Sequence, residues 1–192
     1  STTTKLIGDI FKKKYKKVFV GGNLGKALCN SIIDNNQYTH HVVELSSFQL
    51  ETIKNFNPQI SVLLNLSEDH LDRYKNMKNY IDAKKNIFNR GGKNINLISI
   101  DDKYSKRIYK NKKIKNKISF SIKNLNADIY LKNGYLIDNY FYNNKKIKLL
   151  SISPDLNTSY NYQNILVAYI SSKYFKIPIN FFKQSIKNFK GL

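Results

Sequence analysis

Cysteine is almost missing from this sequence, because Cys29 is the only one in 192 residues. A single cysteine cannot form a disulfide within the chain, so we expect a protein of a reducing compartment, the cytoplasm. Long apolar runs are missing too, since no stretch approaches the roughly 18 apolar residues of a membrane-spanning helix. The sequence also opens without a basic segment followed by an apolar one. We therefore expect neither a signal peptide nor a membrane partner.

Acidic residues are scarce as well, with 13 Asp and Glu against 33 Lys and Arg and a formal net charge of +20. Such a charge is typical of nucleic-acid-binding proteins. Arginine, which is preferred for bidentate contacts to bases and phosphates, occurs only as Arg73, Arg90 and Arg107, however. The lysines are scattered among Asn, Ile and Tyr, a composition that an AT-rich genome produces by itself. We expect no nucleic-acid partner and keep a basic nucleic-acid-binding module as the weaker alternative.

The order of sequence patterns predicts an α/β fold with a mostly parallel sheet flanked by helices. Apolar strand patterns alternate with helical ones along the first hundred residues, including a helix over residues 24–34. A further helix, residues 76–88, is expected to stop at Gly91 and Gly92. Beyond about Lys112 the pattern becomes β-rich, with hairpin signals "KNGY" and "YNNK", and predicts a small antiparallel patch. Two helices, the second starting near Pro178, close the chain.

Polar residues follow three successive predicted strands at the point where each ends. They are "GGN" (residues 21–23), Glu44, and "NLSEDH" (residues 65–70). Ligands of open parallel sheets bind at the carboxyl ends of the strands, so we expect these residues to share one edge. A carboxylate and an imidazole there suit a divalent metal, Mg²⁺ or Mn²⁺. Taken singly, the same residues are also explained by a glycine turn, a helix-capping acid and a partly buried histidine.

The first residues, "STTTKLIGDI", match the segment that comes after the lysine of a phosphate-binding loop. In such loops the Ser or Thr hydroxyl contacts the Mg²⁺ of the nucleotide and the helix N-terminus faces the phosphates. Ser1 is thereby predicted to face a nucleotide.

The segments "VVELSSFQLE" and "LLNLSEDHLDRY", with "GGNLG" upstream, resemble the Mur ligases of bacterial peptidoglycan synthesis. The N-x-x-x-D-H-x-D motif of that family is seen here in residues 65–72. The sequels "SSFQLE" and "DRY" resemble the branch that adds D-glutamate. The resemblance implies that residues 1–192 are the central ATP-binding domain, a P-loop NTPase-like fold. It also implies truncation within the phosphate-binding loop and before a C-terminal domain, so the isolated fragment is expected to be inactive.

The resemblance further implies the roles of individual residues. Nucleotide contacts are expected from Ser1, Thr2, Asn161 and Asn164, although Thr158 and Tyr160 depart from the family pattern beside the two asparagines. Contacts to the UDP-muramoyl substrate are expected from Gly22, Asn23 and Ser46.

The resemblance implies two metal ions. Glu44 and Ser1 match ligands of the nucleotide-linked Mg²⁺, and His70 matches a ligand of the second ion. Glu44, His70 and Lys84 are the implied catalytic groups. Lys84 matches the lysine that the family carbamylates to create a further metal-binding anion. Its neighbour Lys85 is the competing assignment, because the spacing from His70 is one residue shorter than expected.

The implied reaction is an ATP-dependent amide ligation. It adds D-glutamate to UDP-N-acetylmuramoyl-L-alanine through an acyl phosphate, with Mg²⁺ or Mn²⁺ as the cofactor, in a protein expected to be monomeric. A Mur-like ligase for another amino acid remains the alternative within the family.

Overall fold

The structure, a computed structural model, describes residues 1–88, 94–149 and 151–191. The stop predicted at Gly91 and Gly92 lies outside those residues. The helices are α1 Thr2–Lys14, α2 Asn30–Ile33, α3 Ser47–Thr52, α4 Leu71–Tyr74, α5 Met77–Lys85, α6 Lys103–Tyr109, α7 Asn161–Tyr174 and α8 Ile179–Lys187. The strands are β1 Val18–Gly22, β2 His40–Glu44, β3 Ile60–Leu63, β4 Ile95–Ser99, β5 Lys117–Ser121, β6 Ile129–Lys132, β7 Tyr135–Asp138 and β8 Lys145–Lys148.

The chain forms two compact units. The first comprises residues 1–45 and 133–136 and the described residues from 146 onward, and the second comprises residues 46–132 and 137–145. Helices cover parallel strands in both, so the predicted fold class is confirmed.

The first unit is built on α1, which packs against α7, α8 and β1. Four apolar residues at helical spacing, Leu6, Ile7, Ile10 and Phe11, form its buried stripe. β1 and β2 pair in parallel from Val18↔His40 to Gly22↔Glu44. The carboxyl ends of these two strands therefore lie side by side.

The second unit contains a sheet in which β3, β4, β5 and β6 are successive parallel neighbours. Helix α5 packs against α3 and α4, and α6 packs against β4. Its core holds apolar and aromatic side chains, namely Leu63, Leu66, Tyr74, Tyr80, Ala83, Phe88, Ile98, Ile108 and Ile114. These contacts fix α4 and α5, which carry the second group of predicted site residues.

Beyond β6, the strands β7 and β8 continue the six-stranded sheet and have residues in both units. The predicted "KNGY" turn joins β6 to β7, and Asn133 and Gly134 both have positive φ, 50° and 76°. Positive φ at both central residues is what a two-residue hairpin turn requires. The β-rich region is not all antiparallel, however, because β5 and β6 pair in parallel.

Two helix predictions need correction. The helix expected over residues 24–34 is limited to the four residues of α2, and Leu24, Ile32 and Ile33 are exposed, so no buried face supports a longer helix. Helix α6 was not expected; Asp102 caps it by accepting hydrogen bonds from the N–H groups of Tyr104 and Ser105. Among the described residues, no helix has the length and apolar character needed to cross a membrane.

Candidate functional site

The strand ends of β1 and β2 form a tight backbone arrangement around Gly22. The N–H of Gly22 donates to the Lys26 carbonyl at 2.8 Å, and the N–H of Asn23 donates to the Glu44 carbonyl at 2.8 Å. Gly22 has φ +121°, and a Cβ on it would lie 2.2 Å from the Glu44 carbonyl oxygen. Only glycine fits here. The sequence-predicted residues Gly22, Asn23 and Glu44 are thus brought together.

The Glu44 carboxylate lies against the first residue of the chain. The backbone nitrogen of Ser1 is 2.9 Å from Glu44 Oε2. The Ser1 hydroxyl and the Asn23 side chain also donate hydrogen bonds to this carboxylate, and such bonds favour its charged form. Glu44 is therefore a carboxylate placed beside a hydroxyl and an amide.

Ser1 also stands at the N-terminus of α1, where the Lys5 N–H donates to its carbonyl at 3.0 Å. Its hydroxyl makes no capping hydrogen bond to the helix, and the first turn contains no acidic residue. Helix N-termini favour anions because their first N–H groups have no partner within the helix. The start of α1 thus places an anion-favouring helix end next to Glu44.

Asn161 and Asn164 belong to a hydrogen-bonded chain at the start of α7. Thr3 Oγ1 donates to Asn164 Oδ1 at 2.6 Å, and Asn164 Nδ2 donates to Asn161 Oδ1 at 2.8 Å. Asn161 Nδ2 in turn donates to the Asp155 carbonyl at 2.8 Å. Both asparagines are buried, so this chain ties α7 to the first turn of α1. Their predicted contact with adenine stays a prediction.

In the second unit, His70 begins α4 in the left-handed conformation, with φ 51°. Its ring lies 4.9 Å from the Phe48 ring and 6.3 Å from the Tyr80 ring, and its Nε2 lies 3.4 Å from an Asp69 carboxylate oxygen. Burial, with a further contribution from the Asp69 charge, raises the pKa of Tyr80 and keeps its phenol neutral.

Lys84 and Lys85 differ in their surroundings. Lys84 Nζ lies 5.6 Å from the centre of the Tyr80 ring, the same ring that contacts His70. Lys85 Nζ instead forms a 3.0 Å ion pair with Asp82. The i, i+4 spacing on α5 puts Tyr80 and Lys84 on one face, and Lys85 lies off that face.

Ser46 has a structural function that the sequence prediction did not include. Its hydroxyl accepts a hydrogen bond from the Gln49 N–H at 3.3 Å, and its own N–H donates to Gln49 Oε1 at 2.9 Å. This reciprocal pair is a capping box that starts α3. Its predicted contact with the UDP-muramoyl substrate stays a prediction.

Comparison with known proteins identifies the family. The Mur ligase middle domain matches residues 1–172. UDP-N-acetylmuramoylalanine–D-glutamate ligases from Clostridioides difficile and Alkaliphilus oremlandii are each 35% identical to the chain, over 197 and 201 residues and 100% of its length. The chain belongs to the Mur ligase family. It spans 42% of the length of these two relatives.

Solved Mur ligase structures share the fold. A UDP-N-acetylmuramoyl-L-alanyl-D-glutamate–2,6-diaminopimelate ligase aligns with a TM-score of 0.76 at 20% identity, covering 100% of this chain and 44% of that one. The MurF ligase of Thermotoga maritima, solved in complex with ADP, aligns with a TM-score of 0.68 at 18% identity, covering 100% and 46%.

The donor set at Glu44 fits the Mg²⁺ expected for a Mur ligase. Mg²⁺ is usually bound by one or two carboxylates together with waters and substrate phosphates, not by an all-protein cage. In the described ranges, no three His, Cys, Asp or Glu side chains are grouped to hold a metal. Glu44 and the Ser1 hydroxyl instead place one carboxylate and one hydroxyl oxygen side by side, both of the hard oxygen type that Mg²⁺ binds. The single-carboxylate arrangement therefore suits a metal that arrives with a nucleotide.

The predicted convergence of all three strand ends stays a prediction. The structure brings Gly22, Asn23, Glu44 and Ser1 together in the first unit, while His70 and Lys84 belong to the second.

Sequence reasoning missed three residues that contact predicted site residues. Thr3 binds Asn164, and Phe48 and Tyr80 contact the His70 ring. Tyr80 carried a usable signal, since it lies four residues before Lys84. For Thr3 and Phe48 the partners are far away in sequence, and no local pattern indicates them.

Proposed function

We propose that the protein containing this chain is an ATP-dependent ligase that joins D-glutamate to UDP-N-acetylmuramoyl-L-alanine. The observation that carries the proposal is the chain's 35% identity, over its whole length, to ligases named for D-glutamate, and the Glu44 carboxylate beside the Ser1 hydroxyl at the start of α1 supports it. ATP is the nucleotide that we propose for the N-terminus of α1. Residues 1–192 then act as its central domain.

The chemistry requires an anionic carboxylate to approach an anionic triphosphate. A carboxylate oxygen of UDP-N-acetylmuramoyl-L-alanine attacks the γ-phosphorus, the bond from that phosphorus to ADP breaks, and an acyl phosphate forms. The amine of D-glutamate attacks the acyl carbon, phosphate leaves, and the nitrogen loses a proton. Mg²⁺ bound in such a site supplies charge neutralisation between these anions.

The proposed roles of the chain's own residues rest on their positions. The free N–H groups at the start of α1 face the phosphates, and the Ser1 hydroxyl and the Glu44 carboxylate hold the nucleotide's cation. Gly22 and Asn23 bind the UDP-muramoyl substrate beside it, with Ser46. Thr2, Asn161 and Asn164 complete the nucleotide site.

His70 and Lys84 are proposed to hold a second cation. For Lys84 this requires carbamylation: the ammonium first loses one proton, Nζ then bonds to the carbon of CO₂ and loses a second proton, so that a cationic side chain becomes an anionic carbamate. Lys84 and His70 both contact the Tyr80 ring, and this shared contact supports Lys84 over Lys85.

The carbamate is tested by ¹³C NMR of the full-length protein in ¹³C-bicarbonate. We expect a carbamate signal in the wild type and in Lys85→Ala that is missing in Lys84→Ala. A signal lost only in Lys85→Ala would reverse the assignment.

The function is tested by phosphate release from Mg²⁺–ATP with UDP-N-acetylmuramoyl-L-alanine. The full-length protein is offered D-glutamate, L-glutamate, meso-diaminopimelate or L-lysine in turn. We expect release with D-glutamate alone. Release with another of the four would mean a Mur ligase of different specificity, and release with none would reject the ligase proposal.

We also propose a cytoplasmic monomer that binds small-molecule substrates and no nucleic acid. The single exposed Cys29 and the scarcity of arginine support this.

A further inference from the structure

The two motifs that resemble the D-glutamate branch contact each other in the second unit. Glu51, the last residue of "SSFQLE", accepts a 2.7 Å hydrogen bond from Arg73 Nη2, the arginine of "DRY". The Arg73 guanidinium also lies 4.9 Å from the centre of the Phe48 ring, a cation–π contact. Segments some twenty residues apart in sequence are thereby joined through one arginine.

Tyr74, next to Arg73, adds a second attachment. Its ring stacks on the Phe48 ring with centroids 5.9 Å apart and planes 11° from parallel. Phe48, Glu51, Arg73 and Tyr74 therefore form a clamp between α3 and α4. We refer to these four residues as the α3–α4 clamp.

Helix α4 needs such a clamp, because it has only four residues. A single helical turn is not stable by itself in water. Both of its flanking residues are in the positive-φ region, His70 at 51° and Lys75 at 63°. Positive φ is unfavourable for residues other than glycine and persists only where surrounding contacts enforce it.

His70 is attached to this clamped turn through its backbone and its ring. Its carbonyl accepts hydrogen bonds from the N–H groups of Arg73 and Tyr74 at 3.1 and 3.0 Å. Its ring lies against Phe48, the ring on which Arg73 and Tyr74 also pack. The direction of the His70 imidazole therefore depends on the clamp.

We propose that Arg73 is a positioning residue for His70: by holding α4 on Glu51 and Phe48, it fixes the imidazole in the direction needed to bind a metal ion. The inference rests on the proposed function, in which His70 is a metal ligand. Arg73 itself touches no reacting group in this proposal. Its effect is transmitted through the α4 backbone and the Phe48 ring.

If Arg73 only stabilised the fold, its loss would be seen in the stability of the protein and not at His70. Exposed ion pairs contribute little to global stability, about 0–1 kcal/mol, and Arg73 is exposed. Loss of Arg73 should therefore change the unfolding temperature slightly but disturb the geometry at His70. Partners that orient a metal ligand typically change metal affinity by about 10- to 100-fold when removed.

The test uses the full-length protein with [¹⁵N]histidine, ADP and Mn²⁺ as the metal probe. Electron paramagnetic resonance gives the Mn²⁺ dissociation constant, and electron spin echo modulation reports the ¹⁵N coupling of a bound histidine, which the ¹⁴N of adenine cannot mimic. His70→Gln defines the spectrum without that coupling.

We expect Arg73→Met to weaken Mn²⁺ binding about tenfold and to reduce the ¹⁵N coupling. Arg73→Lys, which keeps the ion pair but not the planar stack, should recover part of both. The matched control Arg107→Met removes another exposed arginine from the same unit, on α6, and should leave both measurements unchanged. Wild-type affinity and coupling in Arg73→Met would overturn the inference.

If Arg73→Met fails to fold, the isosteric Glu51→Gln carries the test, and unchanged coupling in it would count against the clamp. A wild type without histidine coupling would overturn the inference through His70 itself. If the wild type ligates D-glutamate and Arg73→Met keeps the normal ¹⁵N coupling, this inference is refuted and the proposed function stands. If the ¹⁵N coupling depends on Arg73 but the protein ligates no amino acid, the proposed function is refuted and this inference stands.

Discussion

At the residue scale, the position of Glu44 depends on Gly22. Gly22 lets the β1 backbone approach the Glu44 carbonyl so closely that a Cβ would lie 2.2 Å from it. The same approach brings Asn23 into contact with Glu44, through its N–H to the carbonyl and its side chain to the carboxylate. The glycine therefore matters because it sets the position of a carboxylate.

Replacing Gly22 tests whether the close contact with Glu44 costs more than the positive φ does by itself. Gly22→Ala should destabilise the protein by about 3 kcal/mol, because the new methyl group collides with backbone and the residue has φ +121°. Gly25 is the matched control: its φ is +74°, but nothing lies within 4 Å of an added Cβ, so Gly25→Ala should cost only about 1 kcal/mol. Denaturant unfolding measures both. Equal losses would show that crowding at Glu44 is unimportant.

His40 predicts a pH dependence of stability in the first unit. Burial, then the charges of Lys14 and His41, lower the pKa of His40, whose ring stacks on Tyr15 at 3.8 Å. The unfolded chain therefore binds a proton at His40 more readily than the folded chain does. The stabilisation of the fold by the neutral ring is complete above the ordinary histidine pKa, about 6.5, and is lost as the pH falls below it. The wild type should lose more stability than His40→Gln between about pH 7 and pH 5. Parallel pH profiles from urea unfolding would contradict this.

At the scale of elements, short helices are defined by their caps and contacts. Helix α3 begins with the Ser46–Gln49 capping box, α5 with Asn76 accepting from the Asn79 N–H at 3.0 Å, and α6 with Asp102. Helix α4 has no side-chain cap and relies on the α3–α4 clamp instead. The polar residues between the strands of the second unit thus stabilise its helices as well as carrying candidate site groups.

Ser46 allows the structural and substrate-binding roles to be told apart. Ser46→Ala removes the cap and should cost about 1 kcal/mol, whereas Ser46→Asp keeps a capping oxygen and should preserve stability. If Ser46 also binds the UDP-muramoyl substrate, Ser46→Asp should raise KM for that substrate, because it adds a negative charge beside an anionic ligand. Unchanged KM in a stable Ser46→Asp would leave Ser46 with capping alone.

The elements that the sequence predicts best are those with a strong local pattern of residue types. Helix α1 is predictable because its apolar stripe repeats at helical spacing, and the turn at Asn133 and Gly134 is predictable from its residue types. The helix predicted over residues 24–34 is wrong, because Leu24, Ile32 and Ile33 look like a buried face but are exposed. Whether apolar residues meet a core is a tertiary question that local pattern does not answer.

The same limit applies to the candidate site. The strand-end residues Gly22 and Glu44 are predictable because parallel strands align their carboxyl ends. The bonds from Thr3 to Asn164 and from Glu51 to Arg73 are not, because each joins segments distant in sequence. Motif resemblance indicates Arg73 and Glu51 as branch features, but their contact appears only in the fold.

At the scale of the whole molecule, the chain is a Mur ligase middle domain that divides into two compact units, each with candidate functional residues of its own. The first unit holds Ser1, Asn23, Glu44 and the asparagine pair, and the second holds Ser46, His70 and Lys84. In the proposed acyl-phosphate chemistry, one oxygen of the substrate carboxylate ends in the phosphate that is released.

The most direct measurement supplies the full-length protein with Mg²⁺–ATP, D-glutamate and UDP-N-acetylmuramoyl-L-alanine labelled with ¹⁸O in its carboxylate. Mass spectrometry then tracks the label in the released phosphate. If the carboxylate attacks the γ-phosphorus, one ¹⁸O should pass into phosphate for each amide formed, with ADP as the other product. Phosphate without ¹⁸O, or AMP in place of ADP, would contradict ligation through an acyl phosphate.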